Sequence, residues 1–83
     1  MAGRHTLIPW VEDALRKLGG KARVIDVAKR IWRDHEEELR ESGDLFYRWQ
    51  YDMRWAALEL RKKNVLEDVE DLPRGVWALR KQS

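Results

Sequence analysis

The sequence predicts a small, mainly helical α+β domain, with three helices closed by a C-terminal β-hairpin. Three observations predict it. Apolar residues recur at spacings of three and four in three separate stretches, glycine-containing breaks fall between those stretches, and two short apolar runs flank a Pro-x-Gly turn near the end of the chain. At 83 residues the chain has room for one domain, residues 1–83. A domain this short buries only about 60–65% of the surface its unfolded chain exposes. There is no cysteine, so neither a disulfide nor a thiolate-bound zinc supports the core, and five tryptophans supply much of the area to be buried.

The first helix is expected over residues 9–18. Proline suits a first turn, where its missing N–H has no helical partner to lose, and Pro9 stands there with Thr6 before it as a cap. Val11, Ala14, Leu15 and Leu18 form one apolar stripe, and Gly19-Gly20 stops the helix, the first glycine supplying a left-handed position. Lys21-Ala22-Arg23-Val24 reads as a short extended segment. A second helix is expected over residues 25–41, with Val27, Ala28, Ile31 and Trp32 inward. It runs into the acidic stretch Asp34–Glu41, a solvated helical face whose one apolar anchor is Leu39. Ser42-Gly43-Asp44 breaks the chain, with Asp44 as an N-cap.

The third helix, residues 45–63, is the longest. On a helical wheel Leu45, Phe46, Trp49, Met53, Ala56, Ala57 and Leu60 share an arc of about 120°, the core face. Outside it stand Tyr47, Arg48, Tyr51, Arg54, Trp55 and Leu58, an aromatic and basic surface. Asn64 takes a left-handed cap after Arg61-Lys62-Lys63. The hairpin spans residues 65–79: a strand at Val65–Val69, a turn at Asp71–Gly75, and a strand at Val76–Leu79, before a frayed tail Arg80–Ser83. A lone hairpin is not stable in water, so it packs on the helices. Helix, short strand, two helices and a hairpin is the winged helix-turn-helix order.

The net charge of +2 is unevenly spread: residues 1–33 carry +5, residues 34–44 carry −5, and residues 45–63 carry +3. Eleven of the seventeen cations are arginine, the residue best suited to phosphate and base-edge recognition. Such a field draws an acidic partner to one face and repels it from another. His5 and His35 lie far apart without carboxylates at ligand spacing, so no zinc site is expected. Ser42 and Ser83 are the only serines, and no nucleophile, base and acid come together. The expectation is a non-catalytic protein with no cofactor and no metal. Without an apolar run long enough to span a membrane, and with Thr6-Leu7-Ile8-Pro9 too short for a signal sequence, a cytoplasmic location is expected.

Trp55-Ala56, then Leu60-Arg61-Lys62-Lys63-Asn64-Val65-Leu66-Glu67, then Pro73-Arg74-Gly75-Val76-Trp77-Ala78-Leu79, together with Leu18-Gly19-Gly20, resembles the N-terminal domain of the Mrr restriction-system family. That family has Ala-Gly where this chain has Lys63-Asn64, and a basic residue where it has Ala57. The resemblance implies a winged helix that recognises methylated DNA in a restriction system, with a nuclease domain or a homodimer partner as associate. A stand-alone transcription regulator is an alternative. So is a winged helix turned to protein binding through Tyr51, Trp55 and Leu58, a reading favoured by the acidic wing residues Glu67, Asp68, Glu70 and Asp71.

In helix-turn-helix docking the N-terminal part of the recognition helix meets base edges in the major groove. Those residues are Tyr47, Arg48, Gln50, Tyr51 and Arg54. Arginine bridges guanine O6 and N7, and glutamine bridges adenine N6 and N7. Lys21 and Arg23 precede the second helix, whose N-terminus faces a phosphate, and Arg74 enters a minor groove from the wing tip. Trp10, Trp32, Trp49 and Trp77 are assigned to the core, against the alternative of a cage for a methylated cation or a flipped base.

Overall fold

The computed structural model describes residues 2–80; Met1 and the expected tail beyond Arg80 lie outside the described residues. The order is a 3-10 turn Arg4–Thr6, helix α1 Leu7–Lys17, strand β1 Lys21–Arg23, helix α2 Val24–Arg40, helix α3 Leu45–Lys62, a 3-10 turn Val69–Asp71 and strand β2 Val76–Ala78. This is a small mainly helical α+β fold compatible with a winged-helix layout. No helix among the described residues is long and apolar enough to cross a membrane.

The helices end as their sequences suggest. After α1, Gly19 at φ 93° lets the N–H of Gly20 bond the carbonyl of Leu15 at 2.7 Å. After α3, Asn64 at φ 62° lets the N–H of Val65 bond the carbonyl of Leu60 at 2.9 Å. Both are the six-to-one closure that satisfies otherwise orphaned helix carbonyls. The starts differ from expectation. α1 begins two residues early, and Pro9 lies third in it. The Thr6 hydroxyl accepts from the N–H of Gly3 at 3.1 Å inside the preceding turn and does not cap α1. Asp44 is already helical (φ −61°, ψ −29°) and makes no side-chain cap either. A capping residue needs a non-helical backbone for its side chain to reach the N–H groups that follow.

α2 is continuous but kinked at His35 (φ −134°, ψ 23°). The His35 ring is no part of a solvated face: it lies flat on Trp10, centroids 3.8 Å apart, and its Nδ1 is 3.1 Å from Glu38 Oε1. Beyond the kink, Leu39 in the last turn of α2 is fully buried.

The core gathers Leu7, Trp10, Val11, Ala14 and Leu15 of α1, Val27, Ala28 and Ile31 of α2, and Leu45, Trp49, Met53, Ala56, Ala57 and Leu60 of α3, closed by Leu66 and Trp77. Trp32 is half-buried against it. The expected hairpin is the main correction. β2 pairs antiparallel with β1, Lys21 opposite Ala78, Ala22 opposite Trp77 and Arg23 opposite Val76. Its other edge meets the expected first strand only at the bridge Leu66–Leu79, with the Glu67 N–H on the Ala78 carbonyl at 2.9 Å. Past Glu67 the chain leaves the sheet. Asp68, Glu70 and Asp71 are all exposed, and Val69–Asp71 coils into the 3-10 turn. This segment has no alternating apolar pattern to hold a strand on the core.

Candidate nucleic-acid interface

α3 carries the core face on one side and, on the other, a ridge of Tyr47, Gln50, Tyr51, Arg54, Leu58 and Lys62, all exposed. No carboxylate stands on that ridge. The two acids of the helix, Asp52 and Glu59, turn to the flank, where Asp52 is buried and Glu59 reaches Lys62 Nζ at 3.0 Å. Tyr47 is 84% and Tyr51 71% exposed. Trp55, by contrast, is half-buried: the Arg4 guanidinium lies 4.1 Å from its ring centre and His5 meets it edge-on. Arg48 stands apart from Arg54 around the helix, with its guanidinium 3.7 Å from the carboxylate of Asp52.

Of the expected site residues, Gln50, Arg54, Lys21, Arg23 and Arg74 line three depressions, while Tyr47, Arg48 and Tyr51 line none of them. The first is a cleft of about 500 Å³ between α3 and the turn before β2, lined by Arg54, Arg61 and Arg74 with Val24, Pro73 and Trp77. It brings the expected Arg54 and Arg74 together and adds Arg61. The guanidinium of Arg61 lies 6.0 Å from the Trp77 ring centre, and burial holds its pKa below the usual arginine value, with Asp68 pulling the other way. No carboxylate lines this cleft, although Asp68, Glu70 and Asp71 belong to the same connection. The turn can face inward with Arg74 because Gly75 takes φ 75° and its carbonyl receives the N–H of Val24 at 2.8 Å.

The second is a groove of about 390 Å³ between α2 and α3, floored by Trp32, Phe46 and Trp49 and rimmed by Ile25, Lys29 and Gln50. Trp32 and Trp49 are nearly parallel, at 13° and 6.1 Å between centres. The Arg40 guanidinium lies 5.1 Å from the Trp32 ring centre. The third is an open basin of about 540 Å³ between β1 and α2, where Lys21 and Arg23 meet Lys29, Arg30 and Arg33. Arg23 chelates Asp26, Nε to Oδ2 at 3.0 Å, and this hydrogen bond raises its pKa. Arg30 Nε holds Asp34 at 3.1 Å, and Lys17 reaches the same carboxylate at 3.3 Å.

No family model, curated protein or solved structure matches this chain. Lys29, Arg30, Arg33 and Arg61 were outside the sequence expectation. For Lys29 and Arg33 a signal was present, since Ile25, Lys29 and Arg33 recur at four, the spacing of one helix ridge; Arg30 and Arg61 carried none of this kind. Among the described residues no group of three or more His, Asp or Glu side chains is placed to hold a metal ion.

Proposed function

We propose that this chain is a winged helix-turn-helix module that binds double-stranded DNA without catalysing a reaction on it, with α3 as its recognition helix. The observation that carries this reading is where the unpaired cations lie. On α1, Arg16 and Lys17 are both in ion pairs, and at the far end of α2 Arg40 is paired with Glu36. Arg54, Arg61 and Arg74 have no carboxylate at ion-pair distance among the described residues, and all three line one cleft beside the acid-free ridge of α3. Cations left without internal partners are available to phosphates, whose neutralisation releases counterions and dominates DNA affinity.

In this reading Gln50 and Arg54 present donors to base edges, Tyr47 and Tyr51 make apolar contact with a thymine or N-methyl group, and Arg74 approaches the backbone or minor groove. Arg48, drawn toward Asp52, contributes less. Lys21 contacts phosphate from β1. The sequence resemblance to the Mrr family adds that the base read is methylated and that a nuclease domain or second copy completes the system.

The test is a titration of methylated and unmodified duplexes at two salt concentrations. Binding that weakens steeply with salt and favours the methylated duplex is expected. Equal affinities leave a DNA binder, in keeping with a transcription regulator, and remove modification reading. No binding at low salt removes the DNA reading altogether. It would favour a second one, a protein-docking ridge, for which the exposure of Tyr47 (84%), Tyr51 (71%) and Leu58 (45%) speaks.

A further inference from the structure

We infer that the basin between β1 and α2 is a second backbone track, in which Lys21, Lys29 and Arg33 neutralise phosphates of the same duplex that α3 reads. This rests on the DNA-binding reading above. Five cations from two elements line the basin, against Asp26 as the one carboxylate on its wall. Asp26 is taken by Arg23, and Asp34 nearby by Arg30 and Lys17. Lys21, Lys29 and Arg33 are left with no carboxylate partner among the described residues. Three neighbouring like charges repel one another unless an anion comes between them.

The form of the basin indicates the kind of anion. It is open, its only apolar lining is Leu18 and Ala22, and Lys21, Arg23, Lys29 and Arg33 are all exposed. A buried small-molecule site needs enclosure and fixed donors. Long, exposed cations suit a solvated polyanion backbone. Continuity with α3 makes duplex DNA the specific partner. Lys29 lines both the basin and the α2–α3 groove, whose opposite rim is Gln50 of the α3 ridge. Packed helices lie about 8–10 Å apart, and the major groove is about 12 Å wide. With α3 in the groove, a bordering strand passes over the ridge of α2 that holds Lys29 and Arg33.

The experiment compares wild type with the triple variant Lys21→Gln, Lys29→Gln, Arg33→Gln, reading duplex affinity across salt concentrations. All three side chains are exposed, and a circular dichroism melt checks that the fold is kept. The charge-matched control is Arg16→Gln, Lys63→Gln, Arg80→Gln, three cations outside the three depressions. For three lost phosphate contacts the slope of log affinity against log salt becomes shallower by about 2–3, with affinity falling on the order of 10–100-fold near 0.1 M salt, equally for all duplex sequences. An unchanged slope, or an equal change in the control, overturns the second track. In that case an Arg54→Ala variant that still loses affinity leaves the α3 reading standing. If wild type binds no duplex, both readings fall together.

Discussion

Arg48 and Arg54 occupy the same helix and differ in what surrounds them. Arg48 has a buried carboxylate, Asp52, 3.7 Å away, while Arg54 opens without a partner into the cleft it shares with Arg74. A guanidinium without a partner is free to fork onto a guanine edge or a phosphate. Arg54→Ala is therefore expected to lower duplex affinity by about 1–3 kcal/mol, and Arg48→Ala by clearly less. Fluorescence anisotropy on one duplex reads both, and equal losses would contradict the distinction. Sequence spacing placed both arginines outside the core arc but could not separate them, because the burial of Asp52 depends on packing from beyond the helix. A second residue-scale prediction concerns acid. The hydrogen bond from Arg30, then that from Lys17, holds the Asp34 carboxyl below the ordinary aspartate range. The unfolded chain thus takes up this proton at a higher pH than the folded one, so the bond stabilises the fold at neutral pH. That contribution fades as pH falls from the ordinary aspartate range through the lowered folded value. Urea midpoints measured from pH 6 down to pH 2.5 should fall less steeply for Asp34→Asn than for wild type.

At the scale of elements, helix stops were easier to read than helix starts. Gly19 and Asn64 end α1 and α3 through a backbone conformation that few residues tolerate, so the residue type itself carries the signal. Thr6 and Asp44 are residue types that cap helices, but the turns before α1 and α3 are already helical, and no side-chain cap forms. The sheet was misplaced for a similar reason. Val76-Trp77-Ala78 has two neighbours to choose from, and β1 pairs with it over three residues where the segment after α3 makes a single bridge. Local pattern favoured the hairpin; only the three-dimensional arrangement brings Lys21–Arg23 alongside. Two elements are tested by single substitutions. Gly75→Ala meets no atom within 4 Å, so its cost is the positive φ alone, about 1 kcal/mol in a chemical melt. Because this turn sets Arg74 in the cleft, duplex affinity should fall with it. Leu39→Ala removes the fully buried anchor of the last turn of α2 and should cost about 2–5 kcal/mol. Amide exchange at residues 36–40 should rise most if the kink at His35 separates that turn from the rest of α2.

Over the whole molecule, the charge polarity read from the sequence becomes a polarity of surfaces. Six cations without an ion pair among the described residues, Lys21, Lys29, Arg33, Arg54, Arg61 and Arg74, line two depressions, one of which shares Lys29 with the α2–α3 groove, while Lys63 and Arg4 lie outside them and Glu37, Glu38 and Glu41 stand exposed around the end of α2. Counting charge along the chain showed the blocks but not that β1 and α2 pool theirs, since that depends on how the strand folds back beside the helix. The acidic end leaves the whole chain at only +2. If the proposed DNA reading holds, a near-neutral total with a strongly divided surface orients the encounter without holding the protein on DNA indiscriminately. Replacing Glu37 and Glu41 by Gln removes two exposed negative charges and leaves the His35–Glu38 contact untouched. The association rate with an unrelated duplex is then expected to rise several-fold at 0.05 M salt, with a smaller gain for a cognate duplex and a loss of discrimination. The Debye length shrinks from about 10 Å at 0.1 M salt to about 3 Å at 1 M, so the difference should vanish at high salt. A gain that persists at high salt would point to a direct contact at the end of α2 and away from a long-range field.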